Sequence, residues 1–161
     1  MDPIAEAQDM RKEVIAANPD KPPVDSARIA SLLGIQIIEA ENMPEDVRAI
    51  LVRKRGWRKP QIIIDQDDNH NRQREAVAYM LGLYVYAVER GEEVFEYVDE
   101  RVPRRARKTQ SVMERFASDF AAELIMPKAT LKRYGAHQTT PLMALDFGVS
   151  TEAMRDRQAL A

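Results

Sequence analysis

The sequence predicts an α+β domain that is mostly helical, with a small, mainly antiparallel sheet of three strands. Apolar residues recur at helical spacing over about 71–90 and 109–126, which predicts two long amphipathic helices. Three β-rich runs precede them, at 35–39, 49–53 and 61–65. The last two flank Gly56-Trp57, so we expect an antiparallel hairpin there. With 161 residues, the chain is expected to form a single domain over 1–161.

Shorter elements frame this core. Asp2 before Pro3 is typical of a capped N-terminal helix, and the prolines that follow it at 19–23 predict an extended linker. We therefore divide the domain into an N-terminal helix with its linker (1–22), a core (23–127) and C-terminal helices (128–161). In the tail, Gly148 to Ser150 separates two predicted helices, which is typical of a helix-turn-helix-like segment.

The composition excludes several kinds of protein. The net charge of −2 gives no overall attraction to nucleic acid or to an anionic membrane. No apolar run approaches the roughly 20 residues of a membrane span, and the first residues lack a secretory pattern, so we expect a cytoplasmic protein. The chain has no cysteine and only two histidines, His70 and His137. Thiol chemistry and cysteine-ligated metals are therefore excluded, and little imidazole chemistry remains.

Two basic clusters are candidate surfaces for a partner. The side chains that we single out in them are Arg55, Trp57, Arg58, Arg104 and Arg105. Acidic runs lie close to both clusters, so solvated turns without a partner are the alternative. Trp57, at the tip of the predicted hairpin, either packs back on the sheet or contacts a partner.

Four local strings carry a family resemblance. They are PVDSARIASLLGI, AILVRKRGWRKPQIIID, ERFASDFAAELIMP and DFGVSTEAMRDR. In this order they resemble the ImmA/IrrE family of zinc metallopeptidases, over most of the chain from about residue 23. The resemblance implies a zincin-like fold. In active members, two histidines of an HExxH motif and a glutamate from a second helix bind zinc, and the motif's glutamate activates water.

The zinc motif of that family is degraded here. The pattern RxxxAHELGH falls on 74–83, which reads REAVAYMLGL. Tyr79 and Leu83 stand at the two histidine positions, and Met80 stands at the position of the general base. Glu114 occupies the place of the third ligand, but one carboxylate cannot hold zinc alone. We therefore expect no zinc, no catalytic residue, and a hydrogen bond from Tyr79 to Glu114, the alternative being that Glu114 meets solvent or an arginine.

The favoured function is that of a catalytically inactive member of this family that binds a protein partner. The resemblance implies an Xre-type helix-turn-helix regulator as partner, in phage immunity, a stress response or a toxin–antitoxin system. The former substrate groove would lie near 61–65, which we take for an edge strand carrying Ile63. Such an edge can accept a peptide by strand addition.

Two other functions are weighed against it. One is an enzyme, such as a metallopeptidase, with a non-standard metal or active site. Its candidate residues are Tyr79, Glu114, Glu75 and His70. The other is DNA binding through Arg155 and Arg157 of the tail, which we disfavour because acidic residues accompany both arginines.

Overall fold

The computed structural model describes residues 1–15, 19–101, 110–135 and 138–160. The elements in these ranges are α1 Pro3–Val14, α2 Ser26–Leu32, β1 Gln36–Ala40, β2 Val47–Arg53, β3 Gln61–Asp65, α3 His70–Glu89, β4 Phe95–Glu100, α4 Val112–Ile125, α5 Lys128–Tyr134, α6 Thr140–Phe147 and α7 Thr151–Ala159. The mostly helical α+β class is confirmed. None of these helices is long and apolar enough to cross a membrane.

The sheet has the strand order β1-β3-β2-β4. The predicted hairpin is confirmed, since β2 and β3 pair antiparallel. The prediction that 61–65 is an edge strand is wrong, because β1 runs parallel to β3 and covers its other side. This pairing sets Ile37 beside Ile62 and Ile38 beside Ile63, and cross-strand pairs of β-branched residues stabilise a sheet. Ile63 therefore lies on an interior strand, and the edges are β1 and β4.

The sheet has four strands, so the prediction of three is wrong. The missed strand, β4, pairs antiparallel with β2. Its inward positions hold Phe95, Tyr97 and Asp99, of which Phe95 and Asp99 are buried. The Tyr97 hydroxyl donates to Glu92 at 2.6 Å, and burial together with this bond raises the pKa of Tyr97 to about 12. Three of its six residues, Glu96, Asp99 and Glu100, are acidic, which gave this segment the composition of a connecting loop.

The core lies between one face of the sheet and α3. Ile62 and Ile64 of β3 and Leu51 of β2 are buried in the same cluster as the central part of α3. On the other side of α3 lies α4, which buries Phe116 and Phe120 as its helical spacing predicts. Burying each such side chain contributes about 1.5–3 kcal/mol. α3 is therefore the central element, packed between the sheet and α4.

A buried carboxylate ties both ends of the chain to α4. Glu123 is 1% exposed, and its Oε2 lies 2.5 Å from Nη2 of Arg157 on α7. Its Oε1 lies 3.5 Å from Nη2 of Arg11 on α1. Arg11 also donates to the backbone carbonyl of Glu123 and pairs with Asp20 at 3.1 Å. α1 and α7 are thus held on α4 through one side chain.

Replacing this carboxylate by an amide is expected to destabilise the fold strongly. Glu123→Gln leaves Arg157 without its counter-charge and Arg11 with Asp20 alone, and breaking a buried pair in this way costs about 3–5 kcal/mol. Urea denaturation followed by circular dichroism measures the loss. Asp119→Asn is the matched control, because Asp119 is exposed on the same helix. Equal free energies of unfolding for the two variants would contradict the role given to Glu123.

Candidate functional site

The two helices that carry the family's motif cross in backbone contact. A Cβ atom added to Gly82 of α3 would lie 2.7 Å from the Cα atom and 3.0 Å from the carbonyl oxygen of Ala117 on α4. Real Cβ atoms do not approach a backbone so closely, so only glycine allows this crossing. The glycine of the motif therefore has a packing role here that is independent of any chemistry.

The side chains that replace the zinc motif are part of the core. Tyr79 is 2% exposed, Met80 0% and Leu83 4%. All three belong to the main hydrophobic cluster, together with Phe116 and Ala117 of α4. Tyr79 and Leu83 are four residues apart and so share one face of α3. Both side chains therefore pack in the core.

Glu114 lies in the first turn of α4 and is half-buried. Ser111 caps the helix by accepting a hydrogen bond from the Glu114 backbone N–H at 3.0 Å. Tyr79 and Glu114 each take part in an interaction, and the hydrogen bond from the Tyr79 hydroxyl to Glu114 stays a prediction.

These residues do not suit zinc. An isobutyl group offers no ligand atom, the thioether of Met80 is a soft, weak donor, and zinc sites in proteins use histidine, cysteine and carboxylate ligands. Glu114 is the one conventional ligand left among the four positions. Within the described ranges, no group of three histidine, aspartate or glutamate side chains lies close enough to hold a metal ion.

The acidic loop before α3 is occupied by structural contacts. Asn69 caps α3 by accepting a hydrogen bond from the Arg72 backbone N–H at 2.9 Å. Arg101 bridges Asp65 at 2.7 Å and Asp68 at 3.1 Å. The hydrogen bond with Asp68 raises the pKa of the Arg101 guanidinium above its ordinary value. His70 is exposed at the start of α3, about 13 Å along the helix from Tyr79, and His137 lies outside the described residues.

The turn of the tail is fastened to α3 by polar contacts that the sequence analysis missed. Gly148 ends α6 with a φ of 65°, and its carbonyl oxygen accepts from Nη1 of Arg74 at 2.5 Å. A Cβ atom there would overlap Arg74. Glu75 accepts a hydrogen bond from the Ser150 backbone N–H at 2.6 Å. Glu75, a candidate for altered enzyme chemistry, is thus engaged in packing the tail.

Of the two basic clusters, the structure describes the side chains singled out on the hairpin. Nζ of Lys54 lies 5.7 Å from the centre of the Trp57 ring, and Trp57 is half-buried. A cleft of about 490 Å³ beside it is lined by Gln36, Trp57, Arg58, Lys59 and Gln61. Arg55 and Arg58 are exposed. Trp57 thus both packs and remains accessible, whereas Arg104 and Arg105 lie outside the described residues.

Truncating Met80 is expected to test whether this position belongs to a core or to an open cleft. Met80→Ala should lower the free energy of unfolding by about 2–5 kcal/mol, because it leaves a cavity. Met80→Leu, which keeps the volume, should cost less than about 1.5 kcal/mol. Chemical denaturation of the three proteins measures both values. A cost for Met80→Ala as small as that for Met80→Leu would mean that the position faces solvent.

Comparison with known proteins agrees with this geometry. The family model of the IrrE N-terminal-like domain matches residues 30–158, a range that includes α3, α4 and the fastened tail. No curated protein matches the chain significantly. The match covers well over half of the sequence and both helices of the motif. The chain therefore belongs to the family of IrrE N-terminal-like domains.

Proposed function

We propose that this chain is a catalytically inactive member of its family that acts as a protein-binding regulatory module. The observation that carries the proposal is the burial of Tyr79, Met80 and Leu83 in the hydrophobic core. Side chains at the positions of two zinc ligands and of the general base contribute packing instead of metal binding. A domain that has lost its catalytic activity but kept its fold still has the surfaces of that fold, and these surfaces can bind a partner.

The proposed partner is an Xre-type helix-turn-helix regulator, by resemblance to the pairing found in the family. Phage immunity, a stress response and a toxin–antitoxin system are the proposed settings. The proposed contact surface is the basic hairpin, where Arg55, Trp57 and Arg58 are accessible. Neither Arg55 nor Arg58 forms an ion pair with another described residue. The charges of these two arginines therefore remain available to an acidic surface.

The contacts of the tail disfavour DNA binding. Arg157, one of its two candidate DNA contacts, pairs with Glu123 and donates to the Met126 carbonyl oxygen at 3.1 Å. Arg74 and Glu75 hold the turn before α7 against α3. These contacts give the helix-turn-helix-like tail a packing role.

An enzyme with altered chemistry is also disfavoured. Tyr79 is buried, His70 is exposed at the start of α3, and Glu75 accepts from the tail. Among the described residues, no three histidine, aspartate or glutamate side chains lie close enough together to hold a metal ion, and a hard cation requires several oxygen ligands at short range.

Metal analysis tests the loss of chemistry. Protein purified without chelators is expected to contain far less than one zinc ion per chain. The triple variant Tyr79→His/Met80→Glu/Leu83→His restores the family's ligands beside Glu114 and is expected to bind roughly one zinc ion. Elemental analysis gives the metal content and circular dichroism shows whether the variant folds. Stoichiometric zinc in the wild type, or chelator-sensitive cleavage of a regulator by it, would overturn the proposal.

Affinity capture tests the partner and the surface. From the native host, the chain is expected to retain an uncut helix-turn-helix regulator, the product of a neighbouring reading frame being the first candidate. Arg55→Glu/Arg58→Glu should weaken its binding by about tenfold or more, because charges reversed in an interface repel. Arg115→Glu, an exposed arginine on α4, is the matched control. Equal affinity for both variants would exclude the hairpin as the contact surface.

A further inference from the structure

The open face of the sheet carries a row of β-branched side chains. Ile38 pairs with Ile63, Ile63 with Ile50, and Ile50 with Val98, so the row crosses all four strands. None of these residues belongs to the hydrophobic core or to the side chains packed against it. Val98 is 51% exposed, and Ile38, Ile50 and Ile63 are half-buried. Alternation along a strand sets them opposite the buried Ile62 and Leu51. A contiguous apolar row on a sheet face is typical of an interface.

Charges are arranged symmetrically on either side of this row. Just beyond the ends of β3, Lys59 lies four residues before Ile63 and Asp67 four residues after it. Just beyond the ends of β2, Asp46 and Lys54 flank Ile50 in the same way. Because the two strands are antiparallel, both lysines lie at the hairpin end of the sheet and both aspartates at the other end. All four are exposed, and none forms an ion pair with another described residue.

The hairpin turn lies on the same side as the row. Trp57 and Lys59 line one cleft together with Gln36 and Gln61. Gln61 is two residues before Ile63, so both point to the same face of β3. The positive charge of the turn therefore borders the open face and not the core face.

We propose that the open face binds a second copy of this chain, face to face, about a two-fold axis that runs along the row. Rotation about such an axis reverses the strand direction and sets each residue of the row opposite its own copy. It also brings Lys59 to Asp67 of the second copy, and Lys54 to Asp46 of the second copy. The face is complementary to itself in both its apolar row and its charges.

The same geometry sets the strength of the dimer. The outward positions on both sides of Val98 hold glutamates, Glu96 and Glu100, so β4 adds no attraction and the two central strands carry the complementarity. Four strands of about five residues give a face of about 19 by 17 Å. An interface of this size belongs to the weak class, which forms and dissociates with concentration.

Sedimentation equilibrium of the purified chain tests the proposal. The mass is expected to rise from 18.4 kDa towards that of a dimer as the concentration increases from about 1 μM to about 1 mM. Ile63→Glu, which sets a charge near the axis, should abolish the rise, with circular dichroism verifying the fold. Leu145→Glu is the control, because Leu145 is 73% exposed on α6, and it should dimerise like the wild type.

A charge exchange gives a second, independent test. Lys54→Glu/Lys59→Glu and Asp46→Lys/Asp67→Lys should each raise the dissociation constant by about tenfold or more, because like charges then face each other. Mixing the two variants should restore association as a heterodimer. The four positions are exposed, so neither variant disturbs the core.

Three results would overturn the proposal. They are a wild-type chain that stays monomeric up to the highest concentration, a dimer that tolerates Ile63→Glu, and charge-exchanged variants that do not recover on mixing. A monomer whose capture of the regulator is lost in Ile63→Glu would assign the open face to that partner instead. These measurements use the purified chain alone, so a negative result leaves the zinc and capture experiments unaffected.

Discussion

The pairing of Glu123 with Arg11 and Arg157 is the interaction on which the arrangement of the helices depends. A buried carboxylate is costly unless its partners are present, and here they come from α1 near one end of the chain and α7 near the other. If either helix moved away, Glu123 would lose one of its two ion pairs while it remained buried. Glu123 thus joins α4 to α1 and α7, and the close crossing of Gly82 and Ala117 places α4 against α3.

The loss of the zinc motif and the retention of the fold have one physical explanation. A metal bound between α3 and α4 would contribute binding energy to their packing. Here apolar burial takes its place, at about 1.5–3 kcal/mol for each large side chain. Gly82 allows the close crossing of α3 and α4, and the hydrogen bond between Arg74 and Gly148 joins the tail to α3. Both contacts stabilise the fold whether or not a metal binds. Met80, at the position of the motif's general base, is wholly buried and contributes to the packing of the core.

Sequence reasoning predicted what depends on local pattern and missed what depends on distant contacts. The cap at Asp2, the hairpin and the buried face of α4 follow from spacing and turn chemistry. β4 was missed because three of its six residues are acidic, although Phe95 and Tyr97 alternate as in any half-buried strand. The edge position assigned to Ile63 failed because pairing order is not encoded locally. No local signal links Arg74 to Gly148 or Glu123 to Arg11, which are far apart in the chain.

The two faces of the sheet have different environments. Its inner face packs on α3, so the degraded motif and the core share one side. Its outer face carries the Ile63 row between a basic and an acidic end, and none of those side chains contributes to the former zinc site. Substitutions at the motif positions of α3 therefore leave the outer face unchanged. The proposed dimer contact and the motif positions lie on opposite sides of one sheet, so the proposed contact does not depend on a zinc site.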